Sequence, residues 1–547
     1  MTTQPNRIDP ILLGIMWDRL IAIADDILLS IVRTAFSVGV REAWDLACVL
    51  FDAQGRSIAQ ATLSMPAFIG TAPYTIMHLL ARFPAATLQP GDVLATNDPW
   101  LGTGHTPDIC VARPVFHGGR LVGFVMTISH LPDIGGAGLS IGNREIYEEG
   151  LILPPCKLMR GGVPNEELFD LLRSNLRVPD QCVGDLMADI GGTEVGERLI
   201  GEFMAEFGLA DLQALADGVI GQSEQAMRAR IRDIPDGVYR NALETEGVDG
   251  PVKLAAAVTV AGDAVAIDFA GTGAVVRNAI NVPLCYTRSF ATYAVKCLTT
   301  PQVPNNQGTL LPLAITAPAG CILNALRPSP TGGRHVVGWF IVPLIMGALA
   351  EALPERVQAE CGMASIFVIQ GTHPNGRPVS TQYFLAGGLG AMRGLDGHQT
   401  TPSPTNNAVV SSEVWENETG MTVVRRRLLP DSGGAGQWRG GLGQEAVLRN
   451  DSGHPVNVAL FGMRTDFAAR GLFGGKDGTA RRFMIDGAAV SAKGRYELAP
   501  GQSIAVLEAG GGGFGSAGGR DPKLVEADID AGFVTREAAR RDYGLAQ

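Results

Sequence analysis

The sequence predicts a mixed α+β protein made of several lobes, and three observations support this prediction. Apolar residues recur at helical spacing near the N-terminus, residues 92–160 alternate short apolar runs with polar turns, and residues 365–510 combine short apolar runs with glycine turns. The 547 residues exceed one ordinary domain, and the hydrophobic share of 46% provides a large core. We therefore predict an N-terminal lobe over residues 1–236, a central α/β lobe over residues 237–363, and a β-rich C-terminal lobe with a glycine-rich tail over residues 364–547.

The N-terminal lobe begins with a long predicted helix. Asp9 is a favourable N-cap and Pro10 suits the first helical position. Apolar residues follow at helical spacing, which predicts a helix over residues 10–36. The apolar run 46–51 predicts a strand, and residues 71–83 predict a second helix.

The remaining elements follow in chain order. They are short strands within 92–160, helices within 165–235, strands within 238–320 around a helix at 289–298, a buried helix at 336–353, short strands within 365–510, and tail helices at 522–530 and 535–543. Most polar residues of the segment 92–160 fall at strand ends or in loops, which is where sites are usually built. This segment therefore holds the candidate chemistry.

Charge and cysteine content exclude several function classes. The net charge is −11 and no basic stripe is visible, which argues against nucleic-acid binding. The eight cysteines form no CxxC pair, which argues against a zinc–thiolate site and fits a reducing compartment. Residues 1–10 are polar and carry no signal core, and no apolar run reaches membrane-spanning length. We expect a cytoplasmic protein, and the low charged share of 18% indicates that other subunits cover part of its surface.

Two similar tetrads stand out in the segment 92–160. The first is His105-Thr106-Pro107-Asp108 and the second is His130-Leu131-Pro132-Asp133. The proline keeps each tetrad out of a helix interior, so the imidazole and the carboxylate can converge in an extended turn. An antiparallel pair of strands over residues 109–129 would bring the two tetrads side by side. Mixed histidine and carboxylate ligands suit Zn²⁺, Mn²⁺ or Fe²⁺, which makes residues 1–236 a candidate metal-binding lobe.

A second interpretation treats each tetrad as an ordinary turn, since Asp and His are common in turns and can simply hydrogen-bond. One tetrad alone would favour that interpretation, whereas two favour a metal site. Additional acids lie nearby, and they are Asp45, Asp98, Glu145, Glu148 and Glu149. The other histidines have no such context, and we assign structural or solvated positions to His78, His117, His335, His373, His398 and His454.

The glycine runs carry weaker signals. The runs 431–436 and 474–477 lack a Lys-Ser/Thr ending, so neither is a P-loop. The segment 332–335, Gly-Gly-Arg-His, either binds an anion at the start of the following helix or forms a tight turn. No GxSxG elbow and no cysteine in a nucleophile context is present in the sequence.

Several blocks resemble the hydantoinase B/oxoprolinase family, in family order and over nearly the whole chain. They are RTAFS (33–37), WDLACVLFDAQG (44–55), LQPGDVLATNDPWLGTGHTPD (88–108), SHLPDIGG (129–136), EIYEEGLILPPCKL (145–158), NLRVPDQCVGDL (175–186), PTNN (404–407), DSGGAGQWRGGLG (431–443), and GGGGFG with RDP (510–522). Together these blocks are far more specific than either tetrad alone.

The resemblance implies a B-type subunit that works with an ATP-binding A-type subunit in a hetero-oligomer. The partner would bind ATP-Mg and phosphorylate the substrate, and the B-type subunit would hold one divalent metal ion, Zn, Mn or Fe. The implied ligands are Asp45, His105, Asp108 and His130, and this leaves Asp98 and Asp133 for general-base or supporting roles. This chain departs from the usual family pattern at Thr106 and Leu131, two positions that shape the pocket.

The resemblance implies an ATP-dependent hydrolase of cyclic amides of the hydantoinase, oxoprolinase or lactamase type. Phosphorylation of the amide oxygen creates an electrophilic carbon, and a divalent ion that lowers the pKa of water supplies the nucleophile near neutral pH. A nearby carboxylate then takes the proton. Two alternatives stay open: a subunit of a ketone carboxylase of the acetone or acetophenone type, and a metal-free structural subunit.

Overall fold

The computed structural model describes residues 8–545. The predicted polar start, residues 1–10, therefore lies mostly outside the described residues. The strands are β1 (Leu46–Asp52), β2 (Ser57–Gln60), β3 (Val93–Thr96), β4 (Asp108–His117), β5 (Arg120–His130), β6 (Cys156–Arg160), β7 (Val163–Pro164), β8 (Gly237–Glu246), β9 (Pro251–Ala261), β10 (Ala264–Asp268), β11 (Leu313–Thr316), β12 (Ala364–Thr372), β13 (Pro378–Ala386), β14 (Thr422–Leu428), β15 (Gln444–Arg449), β16 (Val456–Leu460), β17 (Arg482–Ile485), β18 (Ala488–Ala489), β19 (Arg495–Leu498) and β20 (Ser503–Leu507).

The helices are α1 (Pro10–Thr34), α2 (Val38–Arg41), α3 (Ala72–Arg82), α4 (Glu166–Asn175), α5 (Pro179–Glu206), α6 (Gln213–Ile231), α7 (Leu284–Thr299), α8 (His335–Gly338), α9 (Ile341–Ala348), α10 (Ser412–Thr419), α11 (Pro522–Asp530) and α12 (Arg536–Tyr543). This mixture of helices and sheets confirms the predicted α+β class. Within residues 8–545, no helix combines the length and the apolar character needed to cross a membrane.

Helix α1 follows the capping signals that predicted it. The Asp9 carboxylate accepts hydrogen bonds from the Ile11 and Leu12 amides (3.0 and 3.2 Å), and Pro10 occupies the first position. The buried face of α1 packs with α5 and α6 against one face of the first sheet. Ile11 and Ile15 follow the helical spacing of the apolar residues but are exposed.

The first sheet has seven strands in the order β2-β1-β5-β4-β3-β6-β7. The pairs β1–β5, β5–β4 and β4–β3 are all antiparallel. Side chains alternate between the two faces of each strand. Leu46, Cys48 and Leu50 contact the α1/α5 layer, while Ala47 and Val49 contact the main core of the protein.

Three further sheets complete the protein. Their orders are β11-β10-β9-β8, β13-β12-β16-β19 and β14-β15-β20-β17-β18. Each sheet lies within one of the three predicted lobes. However, the main hydrophobic cluster extends from Val38 to Phe514 and so includes residues of all three. The division into lobes stays a prediction.

Two elements differ from the sequence prediction. The helix predicted over residues 336–353 is divided into α8 and α9, and α9 ends at Ala348. Pro343 lies in the first turn of α9, where its missing N–H costs no hydrogen bond. Helix α10 was not predicted, because the segment 412–419 has few apolar residues. Its termini are nevertheless marked, since Ser411 caps the Val414 amide (3.3 Å) and Gly420 has a φ of 74°.

The glycine-rich tail forms a layer of directly contacting backbones. The Gly511 amide donates to the Gly441 carbonyl (2.9 Å), and the Gly434 amide donates to the Gly511 carbonyl (2.8 Å). A Cβ atom at Gly511 would lie 2.1 Å from the Leu389 carbonyl oxygen, which no side chain can tolerate. The glycines of this region therefore permit close backbone packing as well as turns. We name residues 388–391, 433–441 and 510–513 the glycine layer.

Candidate metal centre

The hairpin of β4 and β5 brings the two tetrads together. Asp108 begins β4, His130 ends β5, and the two residues are directly paired in the antiparallel register. Directly opposite residues project their side chains from the same face. The strand register continues into β1, where Leu46 pairs with Ser129 and the His130 amide donates to the Asp45 carbonyl (3.1 Å). Asp45, His130 and Asp108 thus form one row across three strands.

His105 joins this row from the loop between β3 and β4. Its Nε2 atom lies 2.9 Å from Asp108 Oδ1, and its ring centroid lies 5.0 Å from that of His130. The Gly332 carbonyl contacts His105 Nδ1 (3.1 Å) and orients the ring. Gly104 has a φ of 103°, and a Cβ there would lie 2.7 Å from the Arg334 side chain. The loop can approach Arg334 this closely because residue 104 is glycine.

A triad of buried ligand atoms results from this arrangement. The nitrogen or oxygen atoms of His105, Asp108 and His130 all lie within 4.8 Å of one another. Ligands of one tetrahedral ion at about 2.1 Å would lie ~3.4 Å apart, so a small movement completes the geometry. His105 Nε2 and Asp108 Oδ1 are buried and make no acceptable hydrogen bond within residues 8–545. Buried polar atoms are normally paired, so these two atoms are free to take a shared ligand, and a divalent ion fits this donor set.

Arg334 fixes the carboxylate of Asp108. Its Nη2 atom donates to Asp108 Oδ2 (2.7 Å), which also accepts from Thr103 Oγ1 (2.6 Å). Both bonds reach the same oxygen, so Oδ1 is left to face His105. Arg334 also donates to the Thr103 carbonyl (2.9 Å) and stacks 4.2 Å above the Tyr286 ring. The guanidinium is thus held on several sides and cannot easily leave the carboxylate.

The electrostatics favour neutral imidazoles beside an ionised Asp108. Burial lowers the pKa of His130 to about 3, and burial with the charge of Arg334 lowers the pKa of His105. Burial alone would raise the pKa of Asp108, but His105 and Arg334 hold it below its ordinary value. Neutral imidazole and ionised carboxylate are the forms that bind metal ions.

His105, Asp108 and His130 line a small cavity, which we name the metal cavity. Asp45 also lines this cavity but does not belong to the triad. Burial raises the pKa of its carboxyl to about 8, and the nearby charge of Asp108 adds to this effect. The cavity has a volume of about 40 Å³, and its apolar walls include Phe68, Trp339 and Phe384. A cavity of ~10–15 Å³ already admits one water molecule, so this space has room for an ion with bound water.

The structure does not bring Asp98 and Asp133 to the cavity. Asp133 binds the Arg177 side chain (2.8 Å) and the Arg177 amide (2.6 Å), so it anchors the chain before α5. Asp98 pairs with Arg327 and accepts from the Trp100 amide (3.0 Å). Arginine partners therefore occupy the two carboxylates to which a catalytic role was assigned.

The family model described as hydantoinase B/oxoprolinase matches residues 9–517. The chain belongs to this family. The B subunit of a putative D-/L-hydantoinase from Pseudomonas sp. (strain NS671) is 28% identical over 572 residues, which cover 99% of this chain and 96% of the relative. The beta subunit of the caprolactamase from Pseudomonas jessenii is 30% identical over 571 residues and covers 99% and 96% in the same way.

Solved structures agree with this hydantoinase B assignment. The crystal structure of the ATP-dependent caprolactamase from Pseudomonas jessenii matches with a TM-score of 0.91 at 27% identity, and the match covers 99% of this chain and 97% of that chain. A nucleotide-free acetone carboxylase matches with a TM-score of 0.88 at 19% identity, over 98% of this chain and 80% of that chain. This second likeness shows a common fold.

Sequence analysis of this hydantoinase B family member missed three residues that line the cavity. Arg334 belongs to the segment predicted as an anion site or a tight turn, and its guanidinium instead binds Asp108, which lies 226 residues away. Gln382 on β13 contacts His130 Nε2 (3.1 Å). His335 was assigned a structural position, but it lines the cavity with an unpartnered Nε2. Two further wall residues, Thr405 and Asn407, belong to the PTNN block that carried part of the family resemblance.

Proposed function

We propose that this chain is the metal-dependent B-type subunit of an ATP-dependent cyclic amide hydrolase. The observation that carries the proposal is the buried convergence of His105, Asp108 and His130 at the end of one hairpin. Two relatives matched over nearly their whole length, one named for a hydantoinase and one for a caprolactamase, support the same reaction class. In this scheme, the chain acts on a cyclic amide that the partner subunit has phosphorylated.

We assign one divalent ion, Zn, Mn or Fe, to His105, Asp108 and His130, with Asp45 as the fourth ligand. The ion would supply Lewis acidity that makes water nucleophilic near neutral pH. Arg334 and Thr103 hold Asp108 Oδ2, so that Oδ1 keeps its orientation. The apolar walls exclude bulk water, which strengthens each electrostatic interaction inside the cavity.

We place ATP-Mg on an A-type partner subunit, because the glycine runs of this chain lack P-loop endings. Relatives whose names describe one subunit of a larger enzyme support a hetero-oligomer. Eight free cysteines suit the reducing cytoplasm, where we place the complex.

Reconstitution with the A-type subunit tests this proposal. ADP release would be measured with hydantoin, 5-oxoproline, caprolactam, and a ketone with bicarbonate. We expect ADP release and ring opening with one cyclic amide. Bicarbonate fixation on the ketone, without ring opening, would instead identify a carboxylase subunit. Elemental analysis of the same preparation should find about one divalent ion per chain, and full turnover by metal-free protein would refute the metal assignment.

A further inference from the structure

The metal cavity is much smaller than an ordinary substrate site. Its volume is about 40 Å³, whereas small-molecule sites usually measure ~300–1,000 Å³. Under the proposed function, most of the substrate must therefore lie in a neighbouring space. A neighbouring pocket of about 370 Å³ has the size of a small-molecule site. We name it the Lys296 pocket.

The Lys296 pocket lies directly behind the wall of the metal cavity. The wall consists of segments 64–69 and 405–407, whose residues alternate between the two spaces. Ser64, Pro66, Ile69 and Asn406 line the pocket, whereas Met65, Ala67, Phe68, Thr405 and Asn407 line the metal cavity. A single layer of backbone thus separates the two spaces.

Lys296 gives this pocket its charge. It projects from α7 and is 6% exposed. Among the described residues that line the pocket, it alone has a side chain that is charged at neutral pH. Within residues 8–545, no carboxylate forms an ion pair with it. Its ammonium donates to the Thr300 carbonyl (2.9 Å) and the Val303 carbonyl. An ammonium has three donors, so one remains for a ligand.

Burial of a cation costs free energy unless a negative charge pairs with it. Burial lowers the pKa of Lys296 to about 8, which reflects this cost. The carbonyls at the end of α7 offset part of it, because the C-terminal end of a helix attracts positive charge. They do not supply a full negative charge, and an anionic ligand would.

The other walls suit an amide ring. The side-chain amides of Gln60, Gln302 and Asn305 line the pocket, and Ile21 and Ile69 supply apolar surface. Asn305 Oδ1 is buried and has no hydrogen-bond partner in the described chain. This atom can accept from the ring nitrogen of the activated amide when that nitrogen is protonated, or from a second ring N–H such as that of hydantoin. The lining therefore combines one cation, several amides and apolar contacts.

We propose that the Lys296 pocket binds the activated substrate, an anionic O-phosphorylated cyclic amide, with its phosphoryl group on Lys296. The substrate's ring lies against the wall, and its reacting carbon reaches the metal cavity when segments 64–69 and 405–407 move apart. The assignment rests on the proposed function, but the anion site itself does not.

Binding of inorganic phosphate to the isolated chain tests the anion site. Calorimetric titration should show saturable binding to wild type, and Lys296→Met should weaken it at least tenfold. Because Lys296 also closes the end of α7, this variant can lose stability. Asn305→Asp is nearly isosteric, adds a negative charge to the pocket and leaves Lys296 in place, so it should weaken phosphate binding by a similar factor without lowering the melting temperature.

Lys493→Met is the matched control. Lys493 is also largely buried and donates to a carbonyl, that of Gly247 (3.0 Å), but it does not line this pocket. It should bind phosphate like wild type. Lack of saturable binding by wild type, or unchanged binding by Asn305→Asp, would overturn the proposal.

The reconstituted complex separates this proposal from the proposed function. If both hold, Asn305→Asp should slow ring opening at least tenfold while its metal content stays at the wild-type level. If wild type binds phosphate through Lys296 but opens no ring, the proposed function fails and the anion site stands. If ring opening proceeds equally in Asn305→Asp and wild type, the pocket is not the substrate site.

Discussion

The two His-x-Pro-Asp tetrads share one pattern but have different surroundings. In the first, His105 and Asp108 both face the metal cavity. In the second, His130 faces the cavity, whereas Asp133 binds Arg177 elsewhere. The first tetrad precedes a strand and the second follows one, so only Asp108 and His130 lie in the shared row. Position relative to the strand ends therefore decides which members of the motif meet.

Removal of the Asp108 carboxylate should have the largest effect on stability and metal binding. Asp108→Ala removes a proposed ligand and leaves Arg334 buried without its partner. Breaking a buried pair in this way costs about 3–5 kcal/mol. Urea denaturation should show this loss, and elemental analysis should find no bound metal. If Asp108→Ala kept wild-type stability, this result would contradict the proposed difference between the two tetrads.

His105→Ala should separate chemistry from stability within the first tetrad. It removes a proposed ligand but no buried ion pair with arginine. Loss of groups that merely support a metal ligand reduces activity 10- to 100-fold, so we expect a loss of at least ~100-fold. Steady-state rates of the reconstituted enzyme and metal content measure this. Retained metal in purified His105→Ala would contradict the ligand assignment.

Asp189→Asn tests the support beneath the second tetrad. Asp189 is buried on α5 and accepts from Ser129, the residue before His130, and burial raises its pKa from 3.8 to about 7. The carboxyl is neutral in the folded state up to about pH 7 but ionises in the unfolded chain above about pH 4. Its contribution to stability therefore falls as pH rises through this window.

Because asparagine does not ionise, Asp189→Asn should not lose this contribution to stability as the pH rises. Relative to wild type, Asp189→Asn should gain on the order of 4 kcal/mol between pH 4 and pH 8. Denaturation midpoints at both pH values measure the gain. A constant difference between variant and wild type would show that Asp189 ionises normally in the folded state.

Asp133→Asn should have the smallest effect. The amide keeps one acceptor for the Arg177 backbone but loses the ion pair with a side chain that is 40% exposed. We expect a loss of about 1 kcal/mol, with metal content unchanged. Thermal denaturation and elemental analysis check both expectations. Loss of metal would show that the second carboxylate reaches the cavity after all.

Local signals predicted the parts of the site that are close in sequence. Short apolar runs between the tetrads indicated the hairpin, and the hairpin fixes Asp108 opposite His130. Arg334 and Gln382 could not be predicted in this way, because no spacing rule links residues more than 200 positions apart. The ion pair of Asp133 was not predicted for the same reason, because its partner Arg177 comes from a separate loop.

The fold shows the same division. Capping residues located α1 well, because a helix terminus depends on its own neighbours. The division of the helix predicted over 336–353 depends on packing at Phe340 and Trp339, which are buried in the main core. The segment 510–513 was predicted only as part of a glycine-rich tail, because its role depends on backbones that lie about 70 or more residues earlier.

The glycine layer also imposes an order on biosynthesis. Residues 388–391 leave the ribosome more than 110 residues before Gly510–Gly513, yet the two segments bond directly, as in the hydrogen bond from the Ala391 amide to the Gly512 carbonyl (2.9 Å). At 5–20 residues per second, the earlier backbone waits for about 6–24 s with its polar groups unmatched. Chaperone dependence during translation should therefore be concentrated in this late interval.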